Sequence, residues 1–169
     1  MFFPSFELLR QISPHLTIAR KVLEQTQKMG QSEKNKLVSE FKKLGHGFGG
    51  TMLAVSGGSM AEGIDFPGEN LKCAIIVGLP FAKVSQSTKA LIEFYDKKFG
   101  KGWDYAYNAP AINRAVQAAG RVIRTEKDRG VCVFLDSRFC EAHYLKFFPK
   151  NFLPVKTNEP EKIVKQFFA

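Results

Sequence analysis

Gln117, Gly120, Arg121 and Arg124 carry the clearest chemistry in this chain, within the stretch APAINRAVQAAGRVIRTEKDRGVCVFLD from Ala109 to Asp136. Read as a helix over Pro110 to Arg124, they gather with Asn113 and Arg114 on one side. The opposite side takes Ala111, Ile112, Ala115, Val116, Ala118, Ala119, Val122 and Ile123. A solvated face normally mixes Lys with Glu or Asp in pairs four apart. This one carries only amide and guanidinium donors until Glu126. Gly120 sits among them although glycine costs a helix about 1 kcal/mol relative to alanine. Arginine forks beside a cleared backbone match the oxygens of a polyphosphate.

A helix with one small, flat apolar side needs a sheet to lie on, and the chain supplies strand-like runs. Thr51 to Ser56 and Leu71 to Leu79 are continuous apolar segments of the type buried on both faces of a parallel sheet. Val131 to Asp136 is a third, and the mixed pattern of Ile18 to Thr26 fits a short strand over Ala19 to Glu24 or, alternatively, a helix. Phe2-Phe3 reads as the tail of a longer strand, so that the sequence is expected to be a piece of a larger protein, with an edge of the sheet absent or replaced. Helices are expected from Ser5 to Gln11, from Ser32 (as cap) to Leu44, from Ser85 to Phe99 with Leu91, Ile92, Phe94 and Tyr95 inward, and from Glu161 to Phe168. The last of these belongs to a looser tail, residues 151–169, after a first domain of residues 1–150.

The run after the first long strand, Gly57-Gly58-Ser59-Met60-Ala61-Glu62-Gly63-Ile64-Asp65-Phe66-Pro67-Gly68, brings backbone N–H groups to a strand's carboxyl end, where open α/β sheets bind ligands. No Gly-Lys-Ser/Thr follows, so it is not a phosphate loop of the Walker A type. Glu62 and Asp65, beside Gly63, suit a hydroxyl, a ribose or an arginine from a neighbouring element. Gly100 to Tyr107 (GKGWDYAY) interleaves Trp103 and two tyrosines with glycine and lysine, the composition of a base-stacking platform. Aromatic packing around a helix start is the competing reading.

At 169 residues the chain is long enough for one complete core, and its 44% hydrophobic content is ordinary. The formal charge of +9 and a pI near 9.5 favour an anionic partner such as nucleic acid. No apolar run approaches the ~20 residues of a membrane span. Cys73, Cys132 and Cys140 are odd in number and lack metal-site spacing, and read as free thiols in a reducing compartment.

Three of these segments together resemble the carboxyl-terminal motifs of superfamily-two helicases, and more narrowly the XPD/Rad3 and DinG group, archaeal XPD in particular. Gln117-x-x-Gly120-Arg121-x-x-Arg124 resembles motif VI, Gly57 to Gly68 motif V, and Phe2-Phe3-Pro4-Ser5-Phe6 motif IV. Gly78-Leu79-Pro80-Phe81, Asp128-Arg129-Gly130 and Leu135 to Phe139 extend the similarity to about Pro149. The resemblance implies an α/β, RecA-like fold of the P-loop-NTPase type, a mostly parallel sheet flanked by helices and without its own Walker A loop. It implies that Arg121 and Arg124 reach the γ-phosphate of ATP, that Gln117 holds the interface, and that Glu62, Gly63 and Asp65 sit at the nucleotide. Ser5, Ser56, Gly57 and Ser59 would meet the backbone of single-stranded DNA, with Trp103 and Lys89 along the same track.

ATP with Mg would be held mainly by an amino-terminal helicase domain, which would also carry any iron–sulfur cluster. Alone, the chain is expected neither to hydrolyse ATP nor to unwind DNA. Repair or transcription-factor proteins are further partners implied, with a cytoplasmic location in an archaeon or bacterium and a nuclear one in a eukaryote. The alternative function is a protein-docking module with little affinity for DNA.

Overall fold

The computed structural model describes residues 1–56, 71–123, 128–150, 152 and 154–169. Among these, five parallel strands form a sheet in the order β2-β3-β1-β4-β5, with β1 Phe2–Phe3, β2 Lys21–Glu24, β3 Gly50–Val55, β4 Cys73–Val77 and β5 Val131–Leu135. Phe2 pairs with both Ala54 and Ile76, so the two-residue β1 is an internal strand and not an edge. Its Phe3 is fully buried, as are Ala54 and Ile76 on either side. This is the pattern of a parallel sheet covered on both faces, which explains why the strands read as unbroken apolar runs.

The helices are α1 Phe6–Ile12, α2 Gln31–Gly45, α3 Gln86–Phe99, α4 Ala109–Ala119, α5 Ala142–Leu145 and α6 Pro160–Phe168. Ser5 caps α1 by accepting from Leu8 N at 3.2 Å, and Ser85 caps α3 by accepting from Thr88 N at 3.1 Å. The cap of α2 is Gly30 and not Ser32, because the Glu33 carboxylate reaches back to the Gly30 N–H at 2.8 Å. The main core joins β1, β3 and β4 to α2 and α4, and a smaller cluster of Phe3, Leu9, Leu53 and Val55 lies under α1.

Two expectations fail at helices. The helix expected to run to Arg124 ends at Ala119, with Gly120 as its cap, so Arg121 lies on the turn beyond it and Ile123 is exposed. Helix α3 turns Leu91 and Phe94 outward, about half exposed, and has no buried residue. Its aromatics pack against the next segment instead: Tyr95 and Phe99 both meet Tyr105 edge-on, at 5.7 and 5.5 Å between ring centres. Helix α6 packs back on β5. Arg129 donates to the Phe167 carbonyl at 2.6 Å and lies 4.9 Å over its ring.

Candidate functional site

Parallel strands have two distinct rims, and the chain's chemistry divides between them. Helix α4 is the last helix of the connection from β4 to β5, and Val122 just after it meets Gly130 and the Lys72 carbonyl at the amino ends of β5 and β4, so α4 runs antiparallel to the strands. Its start lies at the carboxyl rim and its end at the amino rim.

At the amino rim, α4 lays Ala111, Ile112, Ala115, Ala118 and Ala119 on the sheet, each at most 1% exposed. Alanines permit this close approach because they fill little space between helix and sheet. Asn113, Gln117 and Gly120 are left exposed, and no carboxylate shares that face. Arg121 follows on the turn, half-buried and engaged within the chain. Val122 then drops into the core at 3% exposure, against Gly130. A Cβ at Gly130 would lie 2.1 Å from the Val122 side chain and 2.9 Å from the Lys72 carbonyl, so glycine is required where the chain enters β5. Arg121 is thereby held near the start of β4 and β5, across the sheet from the point where residues 57–68 leave β3. The exposed amides of Asn113 and Gln117 are donors of the kind that phosphate oxygens accept, and Arg121, engaged within the chain, lies beyond them. Arg124, Glu62, Gly63 and Asp65, expected at the same nucleotide, lie outside the described residues, as do Gly57 and Ser59.

Of the residues expected to meet a strand, Ser5 and Ser56 lie at the carboxyl rim, where β1 and β3 end. Ser5 follows β1, and its Oγ is already engaged in capping α1. Ser56 follows β3, its N–H donating to Phe3 O at 2.7 Å. Ser56 is 8% exposed, and its buried Oγ has no hydrogen-bond partner among the described residues. Lys89 is exposed on α3. Trp103 is 55% exposed, while Tyr107 beside it is half-buried.

Sequence reasoning did not foresee what Trp103 packs against. The Trp103 ring meets Tyr107 edge-on at 5.3 Å; Tyr107 stacks on Phe81 at 4.8 Å and 7°; and the Arg138 guanidinium lies 5.4 Å over Phe81. Arg138 is fixed by both oxygens of Asp136, at 2.9 and 2.6 Å. Those hydrogen bonds hold the Asp136 carboxyl below the usual carboxylate range despite its burial. Trp103 leads into a single π-helical turn, Asp104–Asn108, directly before α4. Asp104 joins that turn to α5. Burial would raise its pKa, but the Lys146 ammonium and the Asn108 amide outweigh this and hold it low. Asp104 and Lys146 are too far apart in sequence to have signalled this pairing.

Gly102 N donates to Asp96 Oδ1 at 3.1 Å, and a Cβ at Gly102 would stand 2.2 Å from the Ile92 carbonyl. Only glycine lets the chain pass this close to α3 before Trp103. Cys73 and Cys132 are half-buried on neighbouring strands, and burial pushes the Cys132 thiol up to about 11. Such thiols are poor nucleophiles at neutral pH. No cluster of His, Cys, Asp and Glu able to hold a metal exists among the described residues, and none of the described helices is long and apolar enough to cross a membrane.

Comparison with known proteins supplies an independent line. Residues 1–155 match the family model described as Helicase C-terminal domain. The XPD helicase subunit of the general transcription and DNA repair factor IIH of Dictyostelium discoideum is 32% identical over 99 residues, covering 58% of this chain and 13% of that protein. The ATP-dependent DNA helicase DDX11 of Danio rerio is 29% identical over 170 residues, covering 88% and 19%. The 3′-5′ exonuclease DinG of Staphylococcus saprophyticus is 27% identical over 137 residues, covering 81% and 14%. The chain thus spans less than a fifth of each of these relatives. A solved XPD helicase superposes with a TM-score of 0.64 at 22% identity, over 86% of this chain and 26% of that one. A second, apo XPD structure gives 0.65 at 21% identity, over 86% and 29%. The fold is therefore the RecA-like helicase fold.

Proposed function

The chain belongs to the helicase C-terminal domain family, and from that premise we propose that it is the second motor domain of an ATP-dependent DNA helicase of the XPD type. In this reading another domain holds ATP and its Mg2+. Arg121 and Arg124 close over the triphosphate from the amino rim, Gln117 holds the interface, and Glu62, Gly63 and Asp65 line the nucleotide. Guanidinium groups there would stabilise the charge that develops on the transferred phosphoryl oxygens. The carboxyl rim forms part of a single-stranded DNA track: Ser5, Ser56, Gly57 and Ser59 toward the phosphates, Lys89 beside them, and Trp103 under a base. The chain by itself neither hydrolyses ATP nor unwinds DNA, because it lacks a phosphate-binding loop.

The observation that carries this reading is the carboxylate-free face of α4, presented by a helix whose other side is flattened onto the sheet. Titration of the 169-residue chain with oligo-dT at increasing salt tests the DNA half. Affinity should fall steeply, by a log–log slope of about 0.7 per phosphate contacted. An affinity indifferent to salt would remove the track.

A second reading has its own support. Leu91, Phe94 and Phe99 on α3 are about half exposed, and a free apolar face of this kind suits a protein-docking module, with repair or transcription-factor proteins as the partners. Weak, salt-insensitive binding of oligo-dT would favour that reading.

A further inference from the structure

The Asp104 carboxylate is shared between two elements. Its Oδ1 accepts from Asn108 Nδ2 at 3.2 Å and lies 3.4 Å from His143 Nε2; its Oδ2 accepts from Lys146 Nζ at 2.7 Å. Asn108 Nδ2 itself lies 3.1 Å from His143 Nε2. Asp104 and Asn108 are the first and last residues of the π-helical turn, while His143 lies in α5 and Lys146 caps it. One carboxylate therefore closes the turn on itself and pins it to α5. A single π turn running directly into an α-helix is an uncommon feature, found frequently at functional sites.

Trp103 immediately precedes this clamp. Among the described residues its one aromatic neighbour is Tyr107, which the Phe81 stack fixes from the other side. The plane of the exposed indole is therefore decided by the geometry of residues 103–107, and Asp104 is the polar group that fixes that geometry. We propose that Asp104 is a positioning residue: through Asn108, His143 and Lys146 it holds the Trp103 ring in the orientation that receives a base of single-stranded nucleic acid. The proposal rests on the strand-track reading above, and it assigns Asp104 no contact with the ligand.

Trp103 is the chain's one tryptophan, so its emission reports the ring without a label. The test compares the 169-residue chain with Asp104→Ala and with Lys146→Met, whose side chain is 46% exposed and whose loss the fold should tolerate. In the free proteins, emission anisotropy should fall and quenching by acrylamide should rise in both variants, with far-UV circular dichroism unchanged. Oligo-dT should bind about five- to tenfold more weakly to Asp104→Ala and about two- to threefold more weakly to Lys146→Met. In a Trp103→Ala background, with affinity read from labelled oligo-dT, neither substitution should cause further loss, since both act through that ring.

The same loss in the Trp103→Ala background would overturn the proposal, as would unchanged anisotropy in both variants. If Asp104→Ala fails to fold, Lys146→Met alone decides by the same two readouts. A parent chain that does not bind oligo-dT sinks the strand track and the base platform with it; the anisotropy measurement still decides whether the carboxylate orients the indole.

Discussion

The two rims of the sheet are built by different means. At the amino rim, position follows from close packing: five alanine or isoleucine side chains press α4 flat, Gly130 admits Val122, and Asn113, Gln117 and Gly120 are what remains exposed. At the carboxyl rim, position follows from stacked rings and charged hydrogen bonds, from the Asp136–Arg138 pair through Phe81 and Tyr107 to Trp103. Close packing tolerates almost no displacement, whereas a stack ending in a half-exposed ring can tilt. The first arrangement suits a group that must meet a phosphate at fixed distance. The second suits a surface that must accept any base.

Separating the rims experimentally is the way to break this contrast. The largest effect is expected for Arg121→Ala in a protein that joins this domain to one with a phosphate-binding loop. ATP turnover should fall by about 10³-fold or more, while oligo-dT affinity changes by less than about twofold. Near-normal turnover would end the assignment of the amino rim to the nucleotide.

Next in size is a stability effect at the amino end of β1. In the 169-residue chain prepared with a free Met1 amine, that ammonium donates to Met52 O at 2.5 Å, and burial lowers its pKa from 8.0 to about 6. The folded state then binds fewer protons than the unfolded state between those values. Stability is full above pH 8 and declines as pH falls toward 6, by about 2–3 kcal/mol in a chain whose Met1 amine is free. Urea unfolding at pH 6 and pH 8 measures it, and acetylating the amine should abolish the difference. Because Met1 lies away from the carboxyl rim, oligo-dT affinity at fixed salt should not follow the same curve.

Trp103→Ala should weaken oligo-dT binding by about 1–3 kcal/mol with the melting temperature little changed. Loss of cooperative melting would instead show the ring to be part of the core. The smallest effect is expected for Lys89→Gln, a change in affinity of roughly two- to threefold and a salt slope shallower by about 0.7 if it meets one phosphate. An unchanged slope would take Lys89 off the track.

Much of the fold was legible because it follows from one-dimensional patterns. Continuous apolar runs gave β3, β4 and β5, since a strand covered on both faces has no polar side to interrupt it. The alanine side of α4 was readable because one period, 3.6 residues, sorts its side chains. That same rule misplaced Arg121 and Ile123, because periodicity does not say where a helix stops: here Gly120 ends it and Val122 turns into the core. It also misplaced Leu91 and Phe94, since apolar residues at helical spacing point inward only when the helix has something to cover.

What the amino-acid sequence determined by itself was the kind of chemistry: a cationic, amide-rich, carboxylate-free helix face, glycines after a strand, and a tryptophan among glycine and lysine. These depend on residue type and local spacing, and both are written along the chain. Tertiary structure alone decided which rim each group occupies, and that Asp104 meets His143 and Lys146 while Phe81 meets Tyr107. Those pairings join residues 26 to 42 positions apart. They exist only because parallel strands force each connection to cross the sheet and return, and no local pattern encodes where the crossing ends.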